Sequence, residues 1–463
     1  MSITVHIAYV LWMLTGLTCF YNLAPRKAVL ITVISGSLFL PNVGYNIYAL
    51  HNKETMMSAG VLICSLIFHG QIWSQLRLRL VDLPMLVWCY VSPFASSMSM
   101  SLGTYDALSA IVYNLLVWGV PYLLGRLYFG SVTGLRELGI GLLVAGLVYL
   151  PFCLWEIRMS PHLHQQLYGF RQHDFSQHFR FGGWRPMVFK QHGLAVSLLM
   201  GAATLQAIWL WRSRGLKQLW GVPIGLIALA LLATTVMCKS VNGVVLVLLG
   251  TAVFFINKYL KIALPILFLV AAPPLYMYLR STGDFSGAAL ISFGEAINED
   301  KGGSVRFRIT NENILIEKAL ERRILGWSRW GGNRVTDKSG KDISTTDGFW
   351  IITLGTSGIF GLAAVTAFLL LPVLVLLRRC PVRYWAHPKI APAGVLAVVV
   401  ALYMIDNLLN SMYDPIFAVA VGALTGLTRQ SVVRALKSSL AGVPRIARPP
   451  ALVPQVVAAR APS

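Results

Sequence analysis

Residues 349–376, FWIITLGTSGIFGLAAVTAFLLLPVLVL, contain no charged side chain. About 20 mostly apolar residues suffice for a helix to cross the hydrocarbon core of a bilayer, and inside that core a helix satisfies every backbone polar group within itself. The segment is therefore predicted to span a membrane. Twelve more candidates are predicted at approximately 4–22, 28–49, 56–74, 83–99, 104–125, 137–155, 187–210, 219–237, 241–257, 262–279, 391–409 and 415–428. Of the 463 residues, 56% are hydrophobic and 12% charged, against about 25% charged in ordinary soluble domains. These numbers exclude a soluble globule and predict an all-α polytopic helical membrane protein with about 12–13 transmembrane helices.

The charge has the wrong sign for indifference: 39 Lys and Arg against 18 Asp and Glu give +21. A basic excess of this size raises nucleic acid as a partner, but its distribution answers otherwise. Alternate connections carry Arg26 and Lys27; Arg77 and Arg79; Arg126 and Arg136; Arg212, Arg214 and Lys217; Lys258 and Lys261; and Arg378, Arg379, Arg383 and Lys389. The short connections between them hold little more than Lys53 and Lys239. Under the positive-inside rule this predicts an external N-terminus and a cytoplasmic C-terminal tail bearing Arg429, Arg434, Lys437, Arg445, Arg448 and Arg460. The cytoplasmic side then has 21 Lys and Arg against Asp82 and Glu137, leaving 18 basic and 16 acidic residues elsewhere. The high charge is an orientation signal, and no nucleic-acid partner is expected. Residues 1–6 hold no Lys or Arg and no cleavage site follows, so the first span is expected to be retained.

The predicted organisation is N-terminal transmembrane helices over 1–155, a first external loop at 156–186, central helices over 187–279, a large external loop at 280–347, C-terminal helices over 348–430 and a basic, Pro-containing cytoplasmic tail at 431–463. Loops of that length are usually functional or disordered, and neither long loop is of low complexity. The six cysteines lie singly in or beside apolar spans, and no CxxC, HExxH, Walker or GxSxG motif occurs. Neither metal nor cofactor is expected.

The first loop, QLYGFRQHDFSQHFRFGGWRPMVFKQHG, mixes Arg171, Arg180, Arg185 and Lys190 with aromatics that include Trp184. Arginine forks match phosphate oxygens and aromatic faces stack on sugar rings; the same residues also serve as headgroup anchors. Lys190 and His192 fall just inside the span expected after Pro186, where an ionisable residue is a site candidate. In the second loop, Arg306 to Leu325 shows near-helical spacing of Phe307, Ile314, Leu315, Ala319 and Leu320, which predicts an amphipathic helix on the membrane or the bundle. Gly326, Trp327, Trp330, Gly331 and Gly332 follow as an aromatic, glycine-rich turn. Asp347, just before the next span, has two readings: a helix cap, or a cavity-facing carboxylate that accepts a proton from an attacking hydroxyl. Lys239 either snorkels to the interface or extends a phosphate-binding set.

Taken together, FRFGGWRPMVFKQHG (179–193), CKSVNG (238–243) and VRFRITNENILIEKALERRILGWSRWGG through TTDGFWIITLGTSGIFGL (305–362) resemble the O-antigen ligase and Wzy-type O-antigen polymerase superfamily. The resemblance implies a metal-independent membrane glycosyltransferase that polymerises or transfers undecaprenyl-pyrophosphate-linked saccharide units on the external face of the cytoplasmic membrane, for O-antigen or exopolysaccharide synthesis. It further implies a lipid-linked oligosaccharide donor, a saccharide or lipid-linked acceptor, contact with membrane lipids, and a place beside a chain-length regulator or export complex. By this likeness Arg185 and Arg306 would bind and stabilise the leaving pyrophosphate, Asp347 would act on the acceptor hydroxyl, and Arg171, Arg180, Lys190, His192, Lys239, Arg308, Trp184 and Trp327 would bind substrate. Ligases of the lipid A core type carry His where this chain has Asp347, and the ten residues between Arg171 and Gly182 echo a polymerase spacing; both favour polymerase over ligase. A lipid-linked glycan transporter without chemistry is the rival class, though the paired broken helices expected of one are not evident.

Overall fold

The computed structural model describes residues 2–45, 52–297 and 299–440. It is an all-α polytopic bundle, with strands among the described residues confined to two short hairpins. Among the described residues ten helices are long and apolar enough to cross a membrane: Ile3–Asn22, Lys53–Trp73, Leu80–Ser99, Thr104–Tyr128, Val132–Met159, Gly193–Arg212, Val241–Leu260, Leu264–Thr282, Phe349–Arg379 and Ala391–Leu409. The bent pair Pro415–Gly426 and Arg429–Lys437 would make eleven. Three of the thirteen expected spans are thus shorter than predicted: Pro25–Phe39 with 15 residues, Ile224–Met237 with 14 and Pro415–Gly426 with 12. At 1.5 Å per residue none reaches the roughly 30 Å of a hydrocarbon core. Proline and turn chemistry set these limits: Pro223 precedes one helix, Pro41 lies just beyond another, and Leu427 turns the chain out of helical geometry after Gly426. The basic tail beyond residue 440 lies outside the described residues.

The connections sort onto two faces as their charges predict. On one, Arg26 Nε donates to the Tyr128 carbonyl at 2.9 Å, Arg126 pairs with buried Asp82 at 3.1 Å, Lys258 Nζ donates to the Arg212 carbonyl at 3.3 Å, and Arg379 donates to the Thr425 carbonyl at 3.0 Å. On the other, both long connections meet the 240–242 and 410–412 turns around one cavity. His192 and Ser240 line that same cavity, so the chain goes out along Gly193–Arg212 and returns along the short Ile224–Met237 helix and the hairpin before it.

Two helices sit at the centre, Gly193–Arg212 and Ala391–Leu409, each buried along almost its whole length. The short Pro415–Gly426 helix belongs inside the bundle because it packs backbone to backbone on Val120–Tyr128: a Cβ on Gly125 would lie 2.0 Å from the Val419 carbonyl oxygen. Such small-residue contacts are how helices approach closely where apolar burial alone does not distinguish protein from lipid.

Helix Phe349–Arg379 is not continuous. Gly358 adopts φ 62° and ψ −169°, a region open essentially to glycine, and the opened turn receives residues 323–328. Trp327 N and Ser328 N donate to the Gly355 and Thr356 carbonyls at 2.8 Å each, while Ile359 N and Phe360 N donate to the Arg323 and Ile324 carbonyls at 2.9 and 3.2 Å. Gly326, with φ +70°, has no room for a Cβ against the same backbone. The helix of the second loop, Glu299–Leu320, ends before this seam, five residues short of the expected end at Leu325. Its buried positions include Val305, Ile309, Asn311, Glu312, Leu315, Ile316 and Ala319, so the inward stripe keeps Leu315 and Ala319 of the predicted one but is rotated away from Phe307 and Leu320, which are exposed.

Candidate functional site

The first loop is pinned before it reaches the site. Glu156, at the end of helix Val132–Met159, accepts from Leu163 N at 3.1 Å and from Met187 N and Val188 N at 2.7 Å each. Tyr149 Oη accepts from Phe189 N at 3.0 Å, and Lys53 Nζ donates to the Phe189 carbonyl at 3.0 Å. Residues 186–192 are therefore held irregular, and the helix expected from about 187 begins at Gly193, capped by His192 Nδ1 accepting from Leu194 N at 3.0 Å. Ahead of this strap, strands Phe179–Arg180 and Gly183–Trp184 pair in a hairpin. Its two turn residues, Phe181 and Gly182, both have positive φ, as the twist-matched two-residue hairpin requires. The hairpin places Arg180 beside its turn and Arg185 at its open end. Arg185 Nη2 donates to the Lys239 carbonyl at 3.2 Å, and its aliphatic stem occupies the space a side chain on Gly193 would need.

Opposite, helix Glu299–Leu320 presents Ser304, Phe307 and Arg308, with Asp347 alongside; the Arg308 Nε to Asp347 Oδ2 distance of 3.5 Å is a charge contact rather than an aligned hydrogen bond. These groups, with His173, His192, Ser240, Asn242, Asn410 and others, line a cavity of about 600 Å³. Three arginines and one carboxylate leave it electropositive. Burial, with Arg180 and Arg308 adding to it, draws the Arg185 guanidinium down to about 10. Burial and the surrounding cations also hold His178 at about 4 and His192 at about 3, so both imidazoles are neutral near pH 7. Since His192 Nδ1 accepts the cap hydrogen bond, its proton sits on Nε2. Arg185 Nε, Arg308 Nε, Ser240 Oγ and both His178 ring nitrogens have no hydrogen-bond partner among the described residues, an unusual concentration of unsatisfied polar groups.

Of the residues singled out in the sequence, Arg180, Arg185, His192, Arg308 and Asp347 come together here, and Lys239 sits at the edge, donating to the Phe181 carbonyl at 3.3 Å. Asp347 does not cap the next helix, whose N-cap is Gly348; it faces the cavity. The others are elsewhere. Arg306 is well exposed and pairs with Glu295 at 2.5 Å: at about 100° per residue it points away from Arg308. Lys190 is buried in an ion pair with Asp414 at 2.6 Å and donates to Ser37 Oγ at 2.6 Å. Arg171 lies exposed over the Phe175 ring and bonds Gln165 at 2.7 Å. Trp184 packs between Phe175 and Phe179. Trp327 donates to the Lys318 carbonyl at 2.8 Å beneath the Lys318 ammonium. Glu156 was not anticipated; His173 and His178 belong to a histidine cluster of the first loop (His162, His164, His173, His178 and His192) whose spacing reads as polar loop and interface residues.

Beyond the arginine-rich cavity lie a second cavity of about 320 Å³, where the rings of Trp88, Tyr113, Trp118, Phe349 and Tyr413 stand among polar side chains, and an apolar groove of about 770 Å³ between helices Leu264–Thr282 and Phe349–Arg379 with Arg323 among its lining. The chain is thus a multi-pass helical membrane protein with a built, electropositive cavity between two long loops. No family model matches it, and no curated protein does.

Proposed function

We propose that the protein is an integral-membrane glycosyltransferase that polymerises lipid-linked saccharide units, with undecaprenyl pyrophosphate as leaving group. The observation that carries this reading is the convergence of Arg180 and Arg185 from the first loop with Arg308 and Asp347 from the second in one cavity. A pyrophosphate-linked sugar is already activated, so the demand on the protein is stabilisation of charge on the departing oxygen, which preorganised donors supply best. In the reaction the acceptor hydroxyl oxygen bonds to the anomeric carbon, the bond from that carbon to the pyrophosphate oxygen breaks, and Asp347 takes the hydroxyl proton. His192 Nε2–H donates to the substrate. The alternation of basic connections supports an external position for the cavity at the cytoplasmic membrane, and the apolar groove suits a polyprenyl chain.

Purified protein given a lipid-linked oligosaccharide should yield longer glycans and free lipid pyrophosphate, and Arg308→Ala should lower the rate at least 100-fold with the protein still folded, whereas Arg306→Ala should leave more than half the activity. Relocation of unchanged donor would point to a transporter, transfer to a lipid A core to a ligase, and full activity in Arg308→Ala would overturn the assignment.

A further inference from the structure

The second cavity, with five aromatic rings among its polar lining, shares a wall with the arginine-rich one. Gln191 lines the former and His192 the latter; Phe349 the former and Asp347 the latter; Ser411 and Tyr413 the former, Asn410 and Met412 the latter. Much of its remaining wall comes from helices Leu80–Ser99 and Thr104–Tyr128, with Asn52 and Glu54 at the start of Lys53–Trp73 and the first turns of Phe349–Arg379 completing it. Each of the first two helices has one widened π-type turn, Val87–Val91 and Leu115–Gly119, and such turns recur at functional sites. Asn114 ties them together, donating from Nδ2 to the Trp88 carbonyl at 3.1 Å.

Into this cavity the seam at Gly358 delivers Arg329. The residues either side of it, Ser328 and Trp330, have φ of 59° and 72°, backbone strain of a kind that persists where surrounding structure enforces it. Arg329 Nη2 donates to Asn114 Oδ1 at 3.0 Å and its guanidinium lies 3.8 Å over the Tyr113 ring. No carboxylate pairs with it among the described residues, whereas Arg308 in the neighbouring cavity lies 3.5 Å from Asp347. Glu54 lines the same cavity but has Lys53 and Lys190 as its cationic neighbours. A partly desolvated cation satisfied only by an amide oxygen and a ring face is poised for an anion.

We infer that this second cavity binds a saccharide carrying a single carboxylate, with Arg329 holding the carboxylate and the aromatic walls holding the ring. The choice between anions follows from the charge count. A phosphate dianion would face one arginine and the Glu54 carboxylate, whereas the neighbouring cavity offers three arginines. A monoanionic sugar matches one fork, and its hydroxyls have Glu54, Asn52, Gln191 and Thr353 to bond. The inference rests on the transfer reading in one respect: the shared wall makes this the acceptor's place, one residue's width from Asp347.

The test is equilibrium binding to the purified protein in detergent, using methyl β-D-glucuronide and methyl β-D-glucoside as probes. Wild-type protein should bind the glucuronide at least tenfold more tightly. Arg329→Gln should remove that preference. Asn114→Asp, which places a carboxylate on Arg329 with almost no change of shape and so guards against misfolding of the first variant, should remove it too, while Arg308→Ala should keep it. Equal binding of the two glycosides, absence of binding, or a preference that survives both Arg329→Gln and Asn114→Asp would overturn the inference. Arg329-dependent glucuronide binding in a protein that extends no lipid-linked glycan would uphold this site and refute the transferase.

Discussion

The helix that carries Arg308 is anchored by a single buried carboxylate, and removing it should cost more than any substitution within the cavity itself. Glu312 Oε2 accepts from Arg280 Nε at 3.1 Å and from Tyr276 Oη at 2.9 Å, and Oε1 accepts from Trp350 Nε1 at 3.1 Å; both charged side chains are 4% exposed or less. Breaking a buried pair from one side costs roughly 3–5 kcal/mol because the surviving charge is stranded. Arg280 would retain the Phe285 and Ile309 carbonyls and Asn313 Oδ1, which puts Glu312→Ala near the lower end, about 3 kcal/mol. Glu312→Gln keeps the shape and an acceptor but exchanges charge-assisted bonds for neutral ones, costing about 1–2 kcal/mol. Exchanging both partners, Arg280→Met with Glu312→Leu, should recover most of the loss. Reversible unfolding in mixed micelles measures all three. Because Arg308 lies one turn before Glu312, glycan extension should fall with Glu312→Ala and largely return with Glu312→Gln. A cost below about 1 kcal/mol for Glu312→Ala, or a double variant as unstable as the single one, would refute the anchoring role.

Gly358→Ala should destabilise by about 3 kcal/mol or more, since it combines a glycine-only backbone geometry with overpacking where the new Cβ would lie 2.2 Å from the Ile324 carbonyl oxygen; Gly70→Ala, with no neighbour within 4 Å, is the control and should be near neutral by the same thermal unfolding assay. Lys190→Met should reduce folded protein in the membrane rather than raise KM, and adding Asp414→Leu should restore the folded yield, as quantified by size-exclusion chromatography. His178 and His192 are held at about 4 and about 3 against an ordinary 6.5. Below pH 6.5 the opened loop binds protons that the closed one refuses, so the closed loop is favoured above about 6.5 and loses stability progressively as pH falls toward 4. Protease cutting within 171–192 should therefore rise between pH 7 and 5 and rise less in His178→Asn; a flat profile in the wild type would contradict the assignment.

What the sequence revealed follows the range of each interaction. Long charge-free runs such as 349–376 announce helices, and the basic connections around Arg26, Arg126, Arg212 and Arg379 gather on one face, away from the cavity. Short helices were overextended because hydropathy does not register where Pro223 or Leu427 stops a turn. Within the site, Arg180, Arg185, His192, Arg308 and Asp347 were all picked out, but ranking them depended on facts that spacing does not carry. Arg306 and Arg308 differ by two positions and point opposite ways, and the apolar pattern around them admitted more than one phase. Lys190 looked like Arg185 until Asp414, 224 residues away, claimed it. Arg329 stood in an aromatic turn with nothing local to mark it, since its surroundings come from helices more than 200 residues earlier.

The seam at Gly358 has a consequence for how freely this part of the chain can be rewritten. The four bonds that close it run from main chain to main chain, so side chains at Arg323, Ile324, Ile359 and Phe360 can be exchanged without loosening it, whereas Gly326 and Gly358 admit no replacement. A library that randomises the first four positions and holds the two glycines should keep the fold while reshaping the apolar groove that Arg323 and Ile359 line, which makes this junction the natural place from which to alter that groove without disturbing the backbone around Arg329.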